Sequence, residues 1–486
     1  MTTQQKLMTN WRWYLCALLF AATTINYLDR QVLSLTYEEF IKPTFHWTDA
    51  NYGTITGFFS IFYAIACLFA GKFVDWMGTK KGYIIAIIVW SVGACMHAFC
   101  GLGVMRILGL SPNQFYMVEV GSNTALAVAT TGVYLFLLCR GILALGEAGN
   151  FPAAIKVAAE YFPKKDRAFA TSLFNAGASV GALAAPLCIP PLAKAYGWEV
   201  AFIIIGAIGF LWVFFWQFMY DTPEHSKHVN EAELAYIHQD EQQTSQPISP
   251  SAFQQPAGRS LSIWKALSYK QTWSFIAGKF FTDGVWWFFL FWAPSYFQNQ
   301  FGYKASSGTG MALIFTLYAI VTIVSIGGGY LPKIFVEKRG MEPYSGRMRA
   351  MLLFAFFPLC ALLAQPLGLH FNSAWWPAIL IGLAAAGHQA WSANLFSTIG
   401  DMFPKSTIAT ITGIGAMAGG VGSLIVQKCA GNLFVYAEKA GETFTFLGFS
   451  GKPAGYFVMF CFCGIAYLVA WSIMKALVPK RKDIVL

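Results

Sequence analysis

The sequence contains little charge and few of the short motifs that identify enzymes. Only 12% of its 486 residues are Asp, Glu, Lys or Arg, about half of the roughly 25% that soluble domains carry. It has neither an H-E-x-x-H pair nor a P-loop, and its seven histidines are scattered along the chain. These features argue against a soluble protein and against an enzyme, and we expect no cofactor.

The ten cysteines lie mostly inside apolar stretches and lack the spacing of metal ligands. Cys461 and Cys463 are two positions apart, so a helix would point their side chains to different faces. We interpret all ten as small apolar residues. The sequence therefore predicts neither a disulfide framework nor a metal site.

Apolar residues, by contrast, make up 56% of the chain, and its mean hydropathy is +0.52. Apolar runs of about 20 residues, enough to cross a hydrocarbon core of about 30 Å, recur throughout. The first run has no small-residue cleavage site after it, so we interpret it as a retained helix. The pattern predicts an all-α polytopic membrane protein with spans near 12–36, 51–73, 83–103, 126–158, 168–192, 198–219, 272–297, 309–331, 349–367, 375–400, 407–430 and 455–477.

The basic residues fall in every second loop of this threading. The loops on one side hold Lys80, Lys81, Lys164, Lys165, Arg167, Lys338, Arg339, Arg347, Arg349, Lys405, Lys480, Arg481 and Lys482. The loops on the other side hold few cations, mainly Lys42, Arg106, Lys194, Lys304, Lys439 and Lys452. This asymmetry predicts that both termini are cytoplasmic and that the net charge of +10 reflects topology, not a nucleic-acid partner.

The chain divides into two similar halves. Residues 220–268 are polar and rich in Pro, Gln and Ser, which predicts a cytoplasmic linker between residues 1–219 and 269–486. The segment EYFPKKDRA at 160–168 matches DMFPKSTIA at 401–409, and the same shift pairs Glu147 with His388. A repeated six-helix unit is typical of transporters that bind their substrate between two halves. We therefore expect twelve helices around a central cavity.

Two adjacent charges stand near the end of the first span, in INYLDRQVL. Neighbours on a helix point about 100° apart, so Asp29 and Arg30 cannot share a face. Arg30 shares its face with Tyr27, and this polar stripe predicts that Arg30 faces the cavity and binds a carboxylate. Asp29 would face a neighbouring helix, where a desolvated carboxyl can take up a proton. The alternative is a structural ion pair at the helix end.

The fourth span holds a second buried-charge candidate. Arg140 and Glu147 are seven positions apart and so share a face, and Gly146 and Gly149 beside Glu147 allow another helix to approach. We predict that Glu147 exchanges a proton during transport. The alternative is a fixed ion pair of Glu147 with Arg140 or with Arg30.

The second half offers two polar helices. In the seventh span, Lys279 and Asp283 either neutralise each other or face the substrate. Trp286, Trp287 and Trp292 would provide flat walls that suit a sugar ring, and the alternative is that they serve in packing or as interface anchors. In the tenth span, hydrogen-bonding groups suit a polyhydroxylated ligand, while an interhelical hydrogen bond is the simpler role for Asn394. The cavity-lining candidates on that span are His388, Gln389 and Ser392.

The loop GKFVDWMGTKKG at 71–82 resembles the signature of the major facilitator superfamily, G-x-x-x-D-x-x-G-x-K. In the sequence, Gly71 would allow close helix contact, Asp75 ends a span and Gly78 makes a tight turn. The resemblance implies that Gly71, Asp75, Gly78 and Lys80 form a conformational latch.

The whole chain resembles the anion:cation symporter group of this superfamily, and most closely its hexuronate transporters. The segments that carry the resemblance are NYLDR, GEAGNFPAAIK, TDGVWWFFLFWAPSYF and GHQAWSANLFSTIGDMFPK. It implies that Arg30 binds the substrate carboxylate, that Asp29 and Glu147 carry protons, and that Tyr63 and Asn175 contact the substrate. The departures are Cys67, Gly284 and longer loops at 104–124 and 431–453.

The resemblance implies a monomeric proton symporter in lipid that imports a hexuronate, such as galacturonate or glucuronate, across the cell (inner) membrane. The alternative is a transporter or exchanger of another organic anion, an aldonate or aldarate.

Overall fold

The computed structural model describes residues 8–239, 262–404, 407–482 and 484. Most of them belong to twelve long helices, some of which have a break. The first six are α1 (Trp11–Thr36), α2 (Asp49–Met77), α3 (Thr79–His97 and Cys100–Leu108), α4 (Asn123–Glu147 and Asn150–Tyr161), α5 (Lys164–Tyr196) and α6 (Trp198–Met219). The other six are α7 (Lys270–Phe301), α8 (Gly308–Arg339), α9 (Pro343–Ala355 and Cys360–His370), α10 (Trp375–Met402), α11 (Ile408–Ala440) and α12 (Gly451–Leu477).

Each predicted span coincides with one of these helices. In the described part of the chain, nine of the helices are long and apolar enough to cross a membrane. The three that fall short by composition are α1, α7 and α10. These are the helices that carry Arg30, Lys279 and His388, and their polar side chains lower the hydropathy. Each of these three helices therefore supplies a buried polar group to the interior.

The two halves repeat the same glycine contacts. A side chain at Gly181 of α5 would overlap the carbonyl oxygen of Thr24 on α1, and one at Gly422 of α11 would overlap that of Phe280 on α7. Gly146 of α4 and its repeat partner Gly387 of α10 likewise leave no room for a side chain. Because equivalent glycines let equivalent helix pairs approach, the sequence repeat corresponds to a repeat in packing.

Shorter elements occupy several of the connections between the long helices. Between α3 and α4 lies a short helix, Pro112–Tyr116, and between α1 and α2 a π-helical turn, Tyr37–Ile41. Before α12 the chain forms a hairpin of β1 (Thr445–Phe446) and β2 (Phe449–Ser450). Leu447 and Gly448 form its turn with positive φ angles of 46° and 88°. The hairpin positions the start of α12.

The halves are joined at one end of the bundle. We call the end where α1 begins and α6 ends the linker end, and the end where α1 ends and α2 begins the far end. At the far end, the hydroxyl of Tyr52 donates to the Phe291 carbonyl at 2.9 Å, and the hydroxyls of Ser60 and Ser423 lie 2.9 Å apart. Trp292 supports this closure through a 2.7 Å hydrogen bond to Gln427.

Toward the linker end, α2 separates from the second half. A side chain built on Gly71 would meet nothing within 4 Å. The expectation that Gly71 allows a close helix contact is therefore wrong for this structure, in which the close approach of α11 to α2 extends to Leu68, one turn earlier, beside Gly413. Nearer the far end, Gly53 and Gly57 of α2 do lie directly against α11. In the described part of the chain, the hydrogen bonds between the halves lie toward the far end, so the bundle is closed there and open toward the linker end.

Part of the linker folds onto the first half. It contains a short helix, Glu231–Ile237, which we call the linker helix. Glu233, fully buried, accepts hydrogen bonds from the backbone N–H groups of Trp11 at 2.9 Å and Arg12 at 3.1 Å, and pairs with the Arg12 guanidinium at 3.0 Å. Glu233 thus occupies the positive N-terminus of α1. Residues 240–261 of the predicted linker lie outside the described residues.

Candidate functional site

An arginine–glutamate pair lies in the interior of the first half. The Nε and Nη2 atoms of Arg30 on α1 donate to the same carboxylate oxygen of Glu147 on α4, at 3.0 and 2.7 Å. Nη2 also contacts the side-chain oxygen of Asn26 at 3.4 Å. Arg30 is 4% exposed and Glu147 is fully buried. In this structure the arginine is therefore neutralised by a glutamate, one of the two pairs proposed from the sequence.

Three aromatic rings surround the guanidinium of Arg30. Its central carbon lies 5.1 Å from the ring of Tyr27, 4.8 Å from Tyr63 and 5.2 Å from Trp287. Such faces attract a cation and leave its edge free for hydrogen bonds. Since Trp287 belongs to α7, this aromatic cage is built by both halves, and any movement between them alters it.

Asp29 points away from this cage, as the helix geometry predicts. It is buried against α3 and α4, where it lies beside Trp90 and interacts with the charges of Arg140 and Glu147. Neither of its carboxylate oxygens has a hydrogen-bond partner in the described part of the chain. An ionised carboxylate that is buried without a hydrogen-bond donor is energetically costly. The position therefore suits a carboxyl group that gains and loses a proton.

The second half contributes its own polar cluster. Lys279 and Asp283 on α7 form an ion pair at 2.6 Å. On α10, the ring of His388 stacks on Trp286 with centroids 5.3 Å apart, and its Nδ1 lies 2.7 Å from the hydroxyl of Tyr467. The predicted neutralising pair is thus present, and His388 is fixed by two neighbours beside it.

The remaining cavity candidates are less closely placed. Gln389 and Ser392 are half-buried on α10 near His388, whereas Asn175 is exposed on α5, so the substrate-binding role of these three stays a prediction. Asn394 donates to the carbonyl of Gly328 on α8 at 3.1 Å, which confirms the expected interhelical hydrogen bond. Across the described ranges, no group of three or more His, Cys, Asp or Glu side chains is placed to hold a metal ion.

The signature loop makes its contacts within the first half. Gly78 adopts a φ of 79° between α2 and α3. Asp75 pairs with Lys156 of α4 at 2.9 Å, and Lys80 lies 3.8 Å from Asp221 just after α6. These charges therefore do not bridge to the second half while the linker end is open.

A cluster of charges at the far end does bridge the halves, and sequence reasoning missed it. Asp49, only 1% exposed, forms an ion pair with Lys452 of the second half at 2.7 Å. It also accepts hydrogen bonds from Lys42 and from the hydroxyl of Tyr37, both at 3.0 Å. Burial alone would lower the pKa of Lys42, but Asp49 and Glu38 more than offset it and raise the pKa. We call Asp49, Lys42 and Lys452 the far-end ion cluster.

Replacing Lys452 with glutamine should open the far end more often. The change removes a close ion pair between the halves, worth roughly 1.5 kcal/mol or more for charges in an interface, while Lys42 still neutralises Asp49. Labelling of a cysteine placed at buried Thr56 by a polar thiol reagent, measured in detergent against the parent protein, should accelerate by roughly tenfold.

The matched control is Lys194→Gln, a change at an exposed lysine of the same end. Equal labelling rates in the Lys452→Gln variant and in the control would contradict a gating role for the far-end ion cluster.

Comparison with known proteins places this geometry in context. The model of the Major Facilitator Superfamily matches residues 19–426. The hexuronate transporter of Escherichia coli (strain K12) is 27% identical over 96% of this chain and 94% of its own length. The probable galactarate/D-glucarate transporter of the same strain is 25% identical over 91% and 93%.

A solved structure shares the fold. The bacterial homologue of the human lysosomal transporter Spinster, in an inward-facing and unoccupied conformation, superposes with a TM-score of 0.68 at 19% identity. The match covers 97% of this chain and 99% of that one. Twelve helices in two halves are therefore a shared architecture, while the substrate must be argued from the site.

Proposed function

This chain belongs to the Major Facilitator Superfamily, and we propose that it imports a sugar acid, a hexuronate such as galacturonate or glucuronate, by proton symport. It is related to hexuronate and aldarate transporters along almost its full length. We place it in the cell (inner) membrane with the linker end in the cytoplasm, because the loops of that end carry most of the lysine and arginine.

The observation that carries the proposal is the caged Arg30. A guanidinium keeps its proton inside a protein and binds a carboxylate through two parallel hydrogen bonds. Here its partner is a glutamate that could be replaced by a substrate carboxylate. The rings of Tyr63 and Trp287 then offer apolar faces to the C–H groups of a sugar.

Protonation of Glu147 would couple the movement of protons to the movement of the substrate. With Glu147 ionised, Arg30 is already neutralised, and an incoming anion meets a site without net positive charge. Once Glu147 takes up a proton, Arg30 is free to bind the substrate. Asp29, unpartnered and close by, is the second proton site. A monoanion needs more than one proton before the membrane potential, about 2.3 kcal/mol per charge per 100 mV, drives its uptake.

Alternating access would use the two ends in turn. The far-end ion cluster holds the present state, closed outside and open to the cytoplasm. In the opposite state, Gly71 and the charges of the latch, Asp75 and Lys80, would meet the second half instead of Lys156 and Asp221. Substrate release therefore takes place from the state described here.

Uptake by the purified protein in proteoliposomes tests the proposal. An inward proton gradient should drive accumulation of galacturonate or glucuronate, and a protonophore should abolish it. Neutral galactose should neither be transported nor compete, because it leaves Arg30 without an anion. Liposomes without protein are the control.

Two outcomes would contradict the proposal. Accumulation of galactonate or galactarate without any hexuronate would favour the other organic anions as substrates. Uptake of a hexuronate that does not respond to the proton gradient would exclude proton symport.

A further inference from the structure

A second ion pair lies on the same face of α7 as the cage residue Trp287. Lys279, Asp283 and Trp287 are spaced four positions apart, so they form one stripe along the helix. Asp283 is one turn, about 6 Å, from Trp287 toward the linker end. That distance is about the length of a six-carbon sugar acid. The Lys279–Asp283 pair therefore lies about one sugar length along α7 from Trp287, whose ring lies 5.2 Å from the guanidinium of Arg30.

Both cations face the space between the halves. Cys67, on α2 of the first half, interacts electrostatically with Arg30 and also with Lys279, and its neighbour one turn away is Tyr63 of the cage. Lys279 is 7% exposed, and its ammonium lies 4.8 Å from the ring of Phe396 on α10. Lys279 is therefore largely buried and lies close enough to α2 of the first half to interact with it.

Asp283 is held firmly against Lys279. Its carboxylate packs on Gly419 of α11, where a side chain would overlap it. Such a pair adds little to the free energy of unfolding, because the cost of desolvating two buried charges is about as large as their electrostatic attraction. A matched pair of charges does, however, control which anions can enter.

We propose, on the basis of the proposed function, that the Lys279–Asp283 pair selects monocarboxylate sugar acids and excludes dicarboxylates. In this arrangement Asp283 accepts hydrogen bonds from the substrate's distal hydroxyl groups, and Lys279 donates hydrogen bonds to them. Because their charges cancel, the pair as a whole is neutral. A hexarate carries a second carboxylate at this end, which would face Asp283 and find Lys279 already neutralised. A like charge without a partner in a buried site strongly disfavours binding.

The test is calorimetric titration of the purified full chain with galacturonate and with galactarate. Wild type should bind galacturonate and bind galactarate at least about tenfold more weakly. Asp283→Asn keeps the shape of the side chain and frees Lys279 for a second carboxylate. It should bind galactarate at least about tenfold more tightly than wild type does, while galacturonate, which loses a charged acceptor for its distal hydroxyl groups, should bind more weakly than to wild type.

Two variants control the result. Lys279→Met combined with Asp283→Asn removes both charges and should show no gain for galactarate. Glu337→Gln makes the matched change in an exposed Lys333–Glu337 pair on α8 and should bind as wild type does. If Asp283→Asn fails to fold, Asp283→Ser removes the same charge and should show the same gain.

The outcomes separate this inference from the proposed function. Unchanged galactarate affinity in the folded Asp283 variants, or equal affinity of wild type for both acids, overturns the selectivity role and leaves hexuronate transport standing. A wild-type protein that binds neither acid overturns the proposed function, and the selectivity role with it.

Discussion

Arg30→Lys should lower hexuronate uptake by roughly 10- to 100-fold. Lysine keeps the charge, but it loses the planar guanidinium that now makes two contacts with Glu147 and lies among three aromatic rings. One charged hydrogen bond is worth about 1.5–3 kcal/mol, and each 1.4 kcal/mol changes an equilibrium constant about tenfold. Initial rates in proteoliposomes and binding by titration measure the loss.

Arg106→Lys is the matched control, because Arg106 is exposed on α3 and far from the cage. It should transport at the wild-type rate. Uptake by Arg30→Lys within a few-fold of wild type would show that the substrate carboxylate binds elsewhere.

Glu147→Gln should separate binding from accumulation. Glutamine resembles the protonated glutamate, so Arg30 stays available, and exchange of internal for external substrate should continue. Accumulation driven by a proton gradient should fail, because the side chain can no longer take up the proton. A gradient of one pH unit supplies about 1.4 kcal/mol, or about tenfold accumulation, for each coupled proton. Counterflow and pH-driven uptake, measured side by side, report the two activities.

Glu119→Gln provides the comparison, since Glu119 is exposed between α3 and α4. It should retain both activities. Full accumulation by Glu147→Gln with an unchanged pH dependence would exclude Glu147 as a coupling residue.

Features set by local helix geometry were predictable from the sequence. The 100° step between neighbours correctly placed Asp29 and Arg30 on different sides of α1. The repeat shift identified Gly146 and Gly387 as equivalent, and both make close helix contacts. Such features depend on spacing along a single helix, which the sequence states directly.

Features set by the relation of the two halves were not predictable in the same way. In the sequence, Lys452 is one of a few cations in the loops of one side, and no neighbouring residue indicates that Asp49 is its partner. Gly71 matches a signature, yet its contact depends on which end of the bundle is closed. The approach of Trp287 to Arg30 likewise requires the docking of one half on the other.

The capping of α1 by Glu233 bears on how this protein is made. The N-terminus of α1 is capped by a carboxylate that is synthesised 222 residues after Trp11, so the first half is complete only once the linker helix has been translated. A gene divided after Met219 would assign that carboxylate to the wrong fragment. A gene divided between the codons for residues 239 and 262 would leave each fragment with all the contacts described here for its own half, and these two co-expressed pieces are the ones expected to reassemble into a working protein.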